Sequence, residues 1–210
     1  MCMGEHMEDS EIDRLLDLAM RLFAELGYDG TSTRLIADAA GIPVERLVEL
    51  VGDKPRLYQE VVARTMKAEQ SAVDVALAAF VPTRQGVIAL FDALLDFYAT
   101  HPQYLTLWMH RWMGDAADVP GQEEYIRRLS QQLADAIRDV VEPDVDIGHL
   151  VWTITWCIFG FLTSANQPTA PEVHPGYRTP YEPQTLIGFR AYLHALLTHL
   201  TLPSAGATAL

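Results

Sequence analysis

Cysteine is nearly absent from the 210-residue chain: Cys2 and Cys157 are the only two. That excludes a disulfide framework, and no CxxC or Cys/His finger spacing offers a zinc site. Basic residues are scarce as well, 15 Lys and Arg against 28 Asp and Glu, for a formal net charge of −13. A chain this acidic is not built to coat nucleic acid nonspecifically, so any DNA contact must come from a local basic patch. Long hydrophobic runs are missing too: the longest uncharged apolar stretch, residues 150–165, falls short of the ~20 needed to span a bilayer. The amino-terminal MCMGEHMEDSE is acidic and lacks an apolar core, which argues against a secretory signal. No Ser/His/Asp arrangement, HExxH, GxGxxG or P-loop occurs, so no catalytic residue and no cofactor is expected. Asp92, Asp96 and His101 are not spaced to put three metal ligands on one helical face, so no metal is expected either. These exclusions leave a soluble, cytoplasmic, globular protein.

Apolar residues, by contrast, make up half of the chain and recur with helical period. From Glu11 to Leu26 they fall at Ile12, Leu15, Leu16, Ala19, Leu22, Phe23 and Leu26, one stripe at three- and four-residue spacing. Gly27 follows as a helix end, and Thr31, Ser32 and Thr33 offer hydroxyl caps to a short helix reaching Ala40. Gly41-Ile42-Pro43 makes the next turn, with Pro43 opening a third helix from Val44 to Val51. After Gly52-Asp53 a long helix is predicted to about Phe80. Further helices are predicted over Arg84–Thr100, from His101-Pro102 through Met113, and over Gly121–Val141, Ile147–Ala165 and Gln184–Leu200. The proline-rich stretch Asn166–Pro183 reads as a loop. No useful β alternation or repeat intervenes. The fold class is all-α, with about nine helices.

The run LFAELGYDGTSTRLIADAAGIP, residues 22–43, resembles the DNA-binding region of the TetR family of bacterial transcriptional regulators. Phe23 is core there, and Gly27 and Tyr28 make the helix exit. Thr31 and its neighbours cap the second helix, Ile36, Ala37 and Ala40 pack it, and Gly41 gives the tight turn of a helix-turn-helix. Gly52-Asp53-Lys54 followed by Leu57 resembles the family's glycine–polar–lysine lead into its long connecting helix. The segment FYATHPQYLTLWMHRWMGDAADV, residues 97–119, resembles the ligand-domain helices of actinobacterial members. The resemblance implies a three-helix DNA-binding domain over residues 9–53, a larger helical ligand-binding and dimerisation domain over 54–202, and a tail over 203–210. It also implies a homodimer in which the last two helices of each subunit pair into a four-helix bundle. The run from Leu150 to Leu162 is apolar nearly all round, which fits one face on the core and another on a partner. The central helix of a monomer would read the same way.

By the same resemblance, Thr33, Arg34, Val44, Glu45, Arg46, Glu49 and Lys54 are the residues expected at operator DNA. Arg34, Arg46 and Lys54 would contact phosphate or base, and Thr33 would donate to phosphate at the second helix's amino end. The recognition helix departs from the family pattern of small or basic residues, threonine, leucine and tyrosine, and reads VERLVELV. Val48 takes the aromatic, phosphate-contacting position and has no hydrogen-bond donor. Glu45 and Glu49 place two carboxylates one turn apart on the face meant for DNA, although a glutamate can accept from cytosine N4. Residues 1–60 hold six basic and thirteen acidic groups, a net of −7.

Most of the large aromatic residues lie between Phe91 and Phe161, with Trp108 and Trp112, and Trp152 and Trp156, spaced four apart. Tyr104, Trp108, His110, Trp112, Trp152 and Trp156 are the candidate lining of a pocket for a hydrophobic or aromatic small molecule. Ordinary core packing, and a capping role for the histidine, account for the same residues one at a time. Two readings follow. In the first, the protein is a ligand-responsive regulator, a repressor that a small molecule releases from its operator. In the second, a TetR-like scaffold has lost DNA binding and acts as a small-molecule binder or a biosynthetic enzyme, with His110 or a tyrosine as its acid or base.

Overall fold

A computed structural model of the chain describes residues 2–164, 167–168, 177–178 and 181–203. Nine α-helices run through them in the order expected: α1 (Cys2–Gly30), α2 (Thr33–Ala40), α3 (Val44–Val51), α4 (Lys54–Ala78), α5 (Arg84–Thr100), α6 (Pro102–Trp112), α7 (Glu123–Ile137), α8 (Ile147–Thr163) and α9 (Pro183–Leu200). Two-residue strands at Gln167–Pro168 and Tyr177–Arg178 pair antiparallel inside the stretch read as a loop, most of which lies outside the described residues. The tail from 204 on lies outside them as well. Among the described residues no helix is long and apolar enough to cross a membrane, and no group of three His, Cys, Asp or Glu could hold a metal.

Two elements differ from the sequence expectation. The backbone of α1 is helical from Cys2, well ahead of Glu11, through a Met- and Glu-rich run of high intrinsic helix propensity. Helix α7 gives way at Arg138 to a short 3₁₀ turn, not at Val141. Pro143 disfavours helix in the residue before it, and Val141 instead bridges Thr201 in an extended conformation.

The chain divides into two compact units. The first joins Met1–Ala68 with Gln103–Gly121; the second joins Glu69–Pro102 with Gln122–Leu210. In the first, the α1 stripe of Leu15, Ala19 and Phe23 packs with Ile36, Ala37, Leu47, Leu57, Tyr58 and Val61, and the 103–121 segment adds Leu107, Ala116 and Val119. Phe23, Tyr28 and Tyr58 form an aromatic knot, with ring centroids 4.8–6.1 Å apart. In the second, α8 packs on α7 and α5 while α9 packs on α5. Asp92 of α5 meets Arg190 at 2.8 Å and His194 at 2.8 Å, both on α9, and Arg190 also pairs with Asp96. The two aspartates passed over as metal ligands thus tie α9 down.

Candidate nucleic-acid and ligand sites

Three residues shape the helix-turn-helix. Ser32 is extended at φ −97° and ψ 153°, and its hydroxyl accepts from the Leu35 N–H at 3.1 Å, capping α2. Gly41 closes α2 at φ 71°, a left-handed conformation that costs most residues strain. Pro43 then sets the extended start of α3. Ile36, Ala37 and Leu47 are completely buried, and Val51 nearly so. These contacts fix the rotation of α3 and leave Glu45, Val48 and Glu49 exposed on its outer face.

The cations near that face are engaged with neighbours. Arg46 pairs with Glu11 at 2.9 Å and with Glu49 at 3.8 Å, and Arg34 with Asp38 at 3.8 Å. The Lys54 ammonium sits 4.0 Å above the Tyr28 ring centroid. Burial, followed by the charges of Asp118, Asp29, Asp53 and Asp115, pushes the Tyr28 phenol above its usual range, so that ring stays neutral. Exposed ion pairs of this kind add little stability and exchange readily for other partners. Thr33 and Val44, each half-buried, open α2 and α3.

A contact that no sequence signal marked braces this element. Helix α1 breaks at Gly27 (φ 75°, ψ 168°), and there the Asp115 carboxylate accepts from the Tyr28 N–H at 2.6 Å and the Asp29 N–H at 2.9 Å. The Thr31 hydroxyl donates to the Gly27 carbonyl at 2.7 Å from within the same turn. His110 Nε2 lies 3.0 Å from the Ala24 carbonyl. A carbonyl only accepts, so this nitrogen carries the proton. Arg111 holds the loop that follows through the Ala116 and Val119 carbonyls. In Asp115→Asn an amide N–H₂ replaces one acceptor and faces a backbone donor. The expected loss is about 2 kcal/mol, a fall in Tm of roughly 4–8 °C by circular dichroism. A fall under about 1 °C would show that the clasp is not holding the turn.

The six aromatic and histidine residues proposed for a ligand are divided between the units. Tyr104, Trp108, His110 and Trp112 belong to the first, Trp152 and Trp156 to the second. Tyr104 lines a groove of about 260 Å³ with Asp17, Arg21 and Arg64, and none of the other five lines it. Trp108 is buried and Trp112 exposed. Trp152 and Trp156 lie against each other with ring centroids 5.6 Å apart, and Trp156 is 55% exposed. His110 spends its Nε2 proton on Ala24.

The family described as "Bacterial regulatory proteins, tetR family" matches residues 15–47, from within α1 into α3. The chain is 24% identical over 142 residues, 66% of its length and 73% of the relative's, to the "Uncharacterized HTH-type transcriptional regulator YhgD" of Bacillus subtilis. Its fold is similar to that of the ketosteroid transcriptional regulator KstR2 of Mycobacterium tuberculosis. The TM-score is 0.71 at 18% identity, covering 91% of this chain and 95% of that one. It is also similar to a protein from Saccharomonospora viridis solved in complex with choline, with a TM-score of 0.67 at 18% identity over 92% and 99% of the two chains.

Proposed function

Since the chain belongs to the tetR family of bacterial regulatory proteins, we propose that it is a transcriptional repressor whose grip on operator DNA is released by a small molecule. The observation that carries this reading is the capped α2, the Gly41 turn and the buried Leu47 underside of α3, which together present one helix face to solvent. Residues 9–53 read the operator, with Thr33, Arg34, Arg46 and Lys54 as phosphate contacts and Val44, Glu45 and Glu49 at the bases. Residues 54–202 hold the ligand and the dimer contacts. The unit pairs with a second copy through α8 and α9, where Trp156, Ile187 and Tyr192 are exposed. Two protomers then place their α3 helices one DNA turn apart, about 34–36 Å. Ligand binding alters that spacing. The ligand is a hydrophobic or aromatic molecule, and the regulators of similar fold named for ketosteroids or solved with choline support a small-molecule input. The protein acts in the cytoplasm.

A second reading has a specific observation behind it. Glu45, Val48 and Glu49 occupy the exposed face of α3, a poor surface for phosphate, so the scaffold could serve as a small-molecule binder without DNA. Fluorescence anisotropy against duplexes from the gene's own upstream region, at low and physiological salt, separates the two. A repressor gives sequence-dependent binding that competitor DNA does not remove. In that case Arg34→Ala and Lys54→Ala each weaken binding several-fold and reduce the salt slope by about 1 for each phosphate no longer neutralised. No binding at low salt from a folded protein would leave the second reading standing.

A further inference from the structure

The outward side of α3 carries Glu45, Val48 and Glu49. Spaced three and four apart, they share one face of the helix, with Val48 43% exposed and the Glu49 side chain 69%. Leu47 and Val51, both buried, hold the opposite side against the core and so fix which residues point out. From Glu45 to Glu49 is about 6 Å along the helix axis, roughly two base-pair steps of a duplex. Among the eight residues of α3, VERLVELV, only Arg46 has a hydrogen-bond donor on its side chain, and it reaches back to Glu11 of α1 at 2.9 Å. The outward face therefore presents acceptor oxygens and a branched apolar group.

Such a face discriminates among bases. In the major groove guanine shows two acceptors, N7 and O6, and thymine shows the O4 acceptor beside its C5-methyl. A carboxylate oxygen against any of these sets lone pair against lone pair. Amino donors come from cytosine N4 and adenine N6 alone. Adenine places its N7 acceptor next to N6, so a carboxylate that accepts from N6 has its second oxygen against N7. Cytosine is the one base whose groove edge shows a donor with no acceptor of its own alongside. Val48 brings two methyl groups to the same face, and the thymine C5-methyl is the matching apolar group in the groove.

We propose that α3 reads cytosine and thymine: in each operator half-site Glu45 accepts from a cytosine N4 amino group, and Val48 packs on the C5-methyl of a thymine within the same three base pairs. The inference rests on the operator-binding reading above and adds to it the identity of the bases. Glu45 is the better placed of the two acids, because the first turn of a recognition helix is the part that meets base edges. Glu49 also pairs with Arg46 at 3.8 Å. Both carboxylates repel phosphate wherever no amino group faces them, which weakens binding to unrelated sequence and widens the gap to the operator.

Selection of duplexes from a random library by the full-length protein, followed by anisotropy on the enriched half-site, tests this. N4-methylcytosine keeps its pairing with guanine but puts a methyl group where the free amino hydrogen was. At the cytosine being read it is expected to weaken binding about fivefold or more. Deoxyuridine in place of thymine removes only the C5-methyl and is expected to cost about two- to threefold. 7-Deazaguanine, which lacks the N7 acceptor, is expected to stay within about twofold of the parent duplex. Glu45→Gln is expected to abolish the difference between cytosine and N4-methylcytosine, and Val48→Ser that between thymine and deoxyuridine. Both positions are exposed, and circular dichroism verifies that the variants keep the fold. A larger loss on 7-deazaguanine than on N4-methylcytosine, or a full cytosine preference in folded Glu45→Gln, would overturn the inference and leave the repressor reading standing. A library from which no sequence is enriched at low salt would overturn both.

Discussion

Replacing Glu45 and Glu49 together by glutamine is expected to raise affinity for arbitrary duplex DNA about five- to tenfold at 50 mM salt. Both carboxylates project from the solvent-facing side of α3, while the buried side of the helix is left untouched. A carboxylate at roughly 8 Å from a phosphate opposes it by about 0.5 kcal/mol in water. Four of them on a dimer sum to about 2 kcal/mol, and screening over a Debye length of about 14 Å at 50 mM salt leaves roughly 1.2 kcal/mol, a factor of about seven. Glu49 also shares Arg46, so its neutralisation returns part of one cation to the face. The gain should shrink at 150 mM salt. Anisotropy on a random-sequence duplex at both salts reads it. An unchanged affinity would mean that this side of α3 never approaches DNA, and the scaffold reading would gain accordingly.

Gly86→Ala is expected to destabilise the protein by about 3 kcal/mol, a fall in Tm of roughly 6–12 °C. Gly86 lies in the first turn of α5, where its N–H donates at 3.1 Å to the hydroxyl of Thr83, the cap of that helix. A Cβ at this position would run into the Val81 backbone carbonyl, which has no rotamer with which to yield. The turn is pinned further by the Thr83 N–H, which donates to the same carbonyl at 2.7 Å. Either the cap or the 81–83 turn has to open to admit the methyl group. Thermal unfolding by circular dichroism checks this, and a Tm within about 2 °C of the parent would show that the turn relaxes cheaply.

The parts of the fold written at short range were legible in the sequence. The stripe from Ile12 to Phe23, the Ser32 cap and the turn at Gly41 each act over a few residues, and each stands where period and residue type place it, whereas Leu26, read as the stripe's last member, is exposed beside the break at Gly27. Glycine at 41 and 52 is required by backbone angles of 71° and 82°, which local pattern anticipates. The brace between Asp115 and Tyr28 was not legible, because it joins positions 87 residues apart within a segment that reads only as a loop. Glu69 was hidden differently. It lies among Lys67, Gln70 and Ser71 and reads as part of a solvated helix face. Two tyrosines brought to it from α5 and α7 meet that acid inside the second unit. The tryptophans misled in the opposite sense: spacing pairs them along their own helices but says nothing of which helices share a cavity.

The chain passes between its two units three times, after residues 68, 102 and 121, so the unit that holds the helix-turn-helix is no detachable cassette. An engineer wishing to exchange the helix-turn-helix would naturally splice at the end of α3, where the sequence pattern changes. That cut would graft a stranger onto Leu107, Ala116 and Val119, which belong to the same core as Phe23 and Leu47, and would leave Asp115 facing a turn it was not matched to. A working chimaera has to carry the 103–121 segment across with the amino-terminal helices. Evolution faces the same constraint: substitutions on the exposed face of α3 leave this core intact, whereas exchange of the amino-terminal helices alone does not.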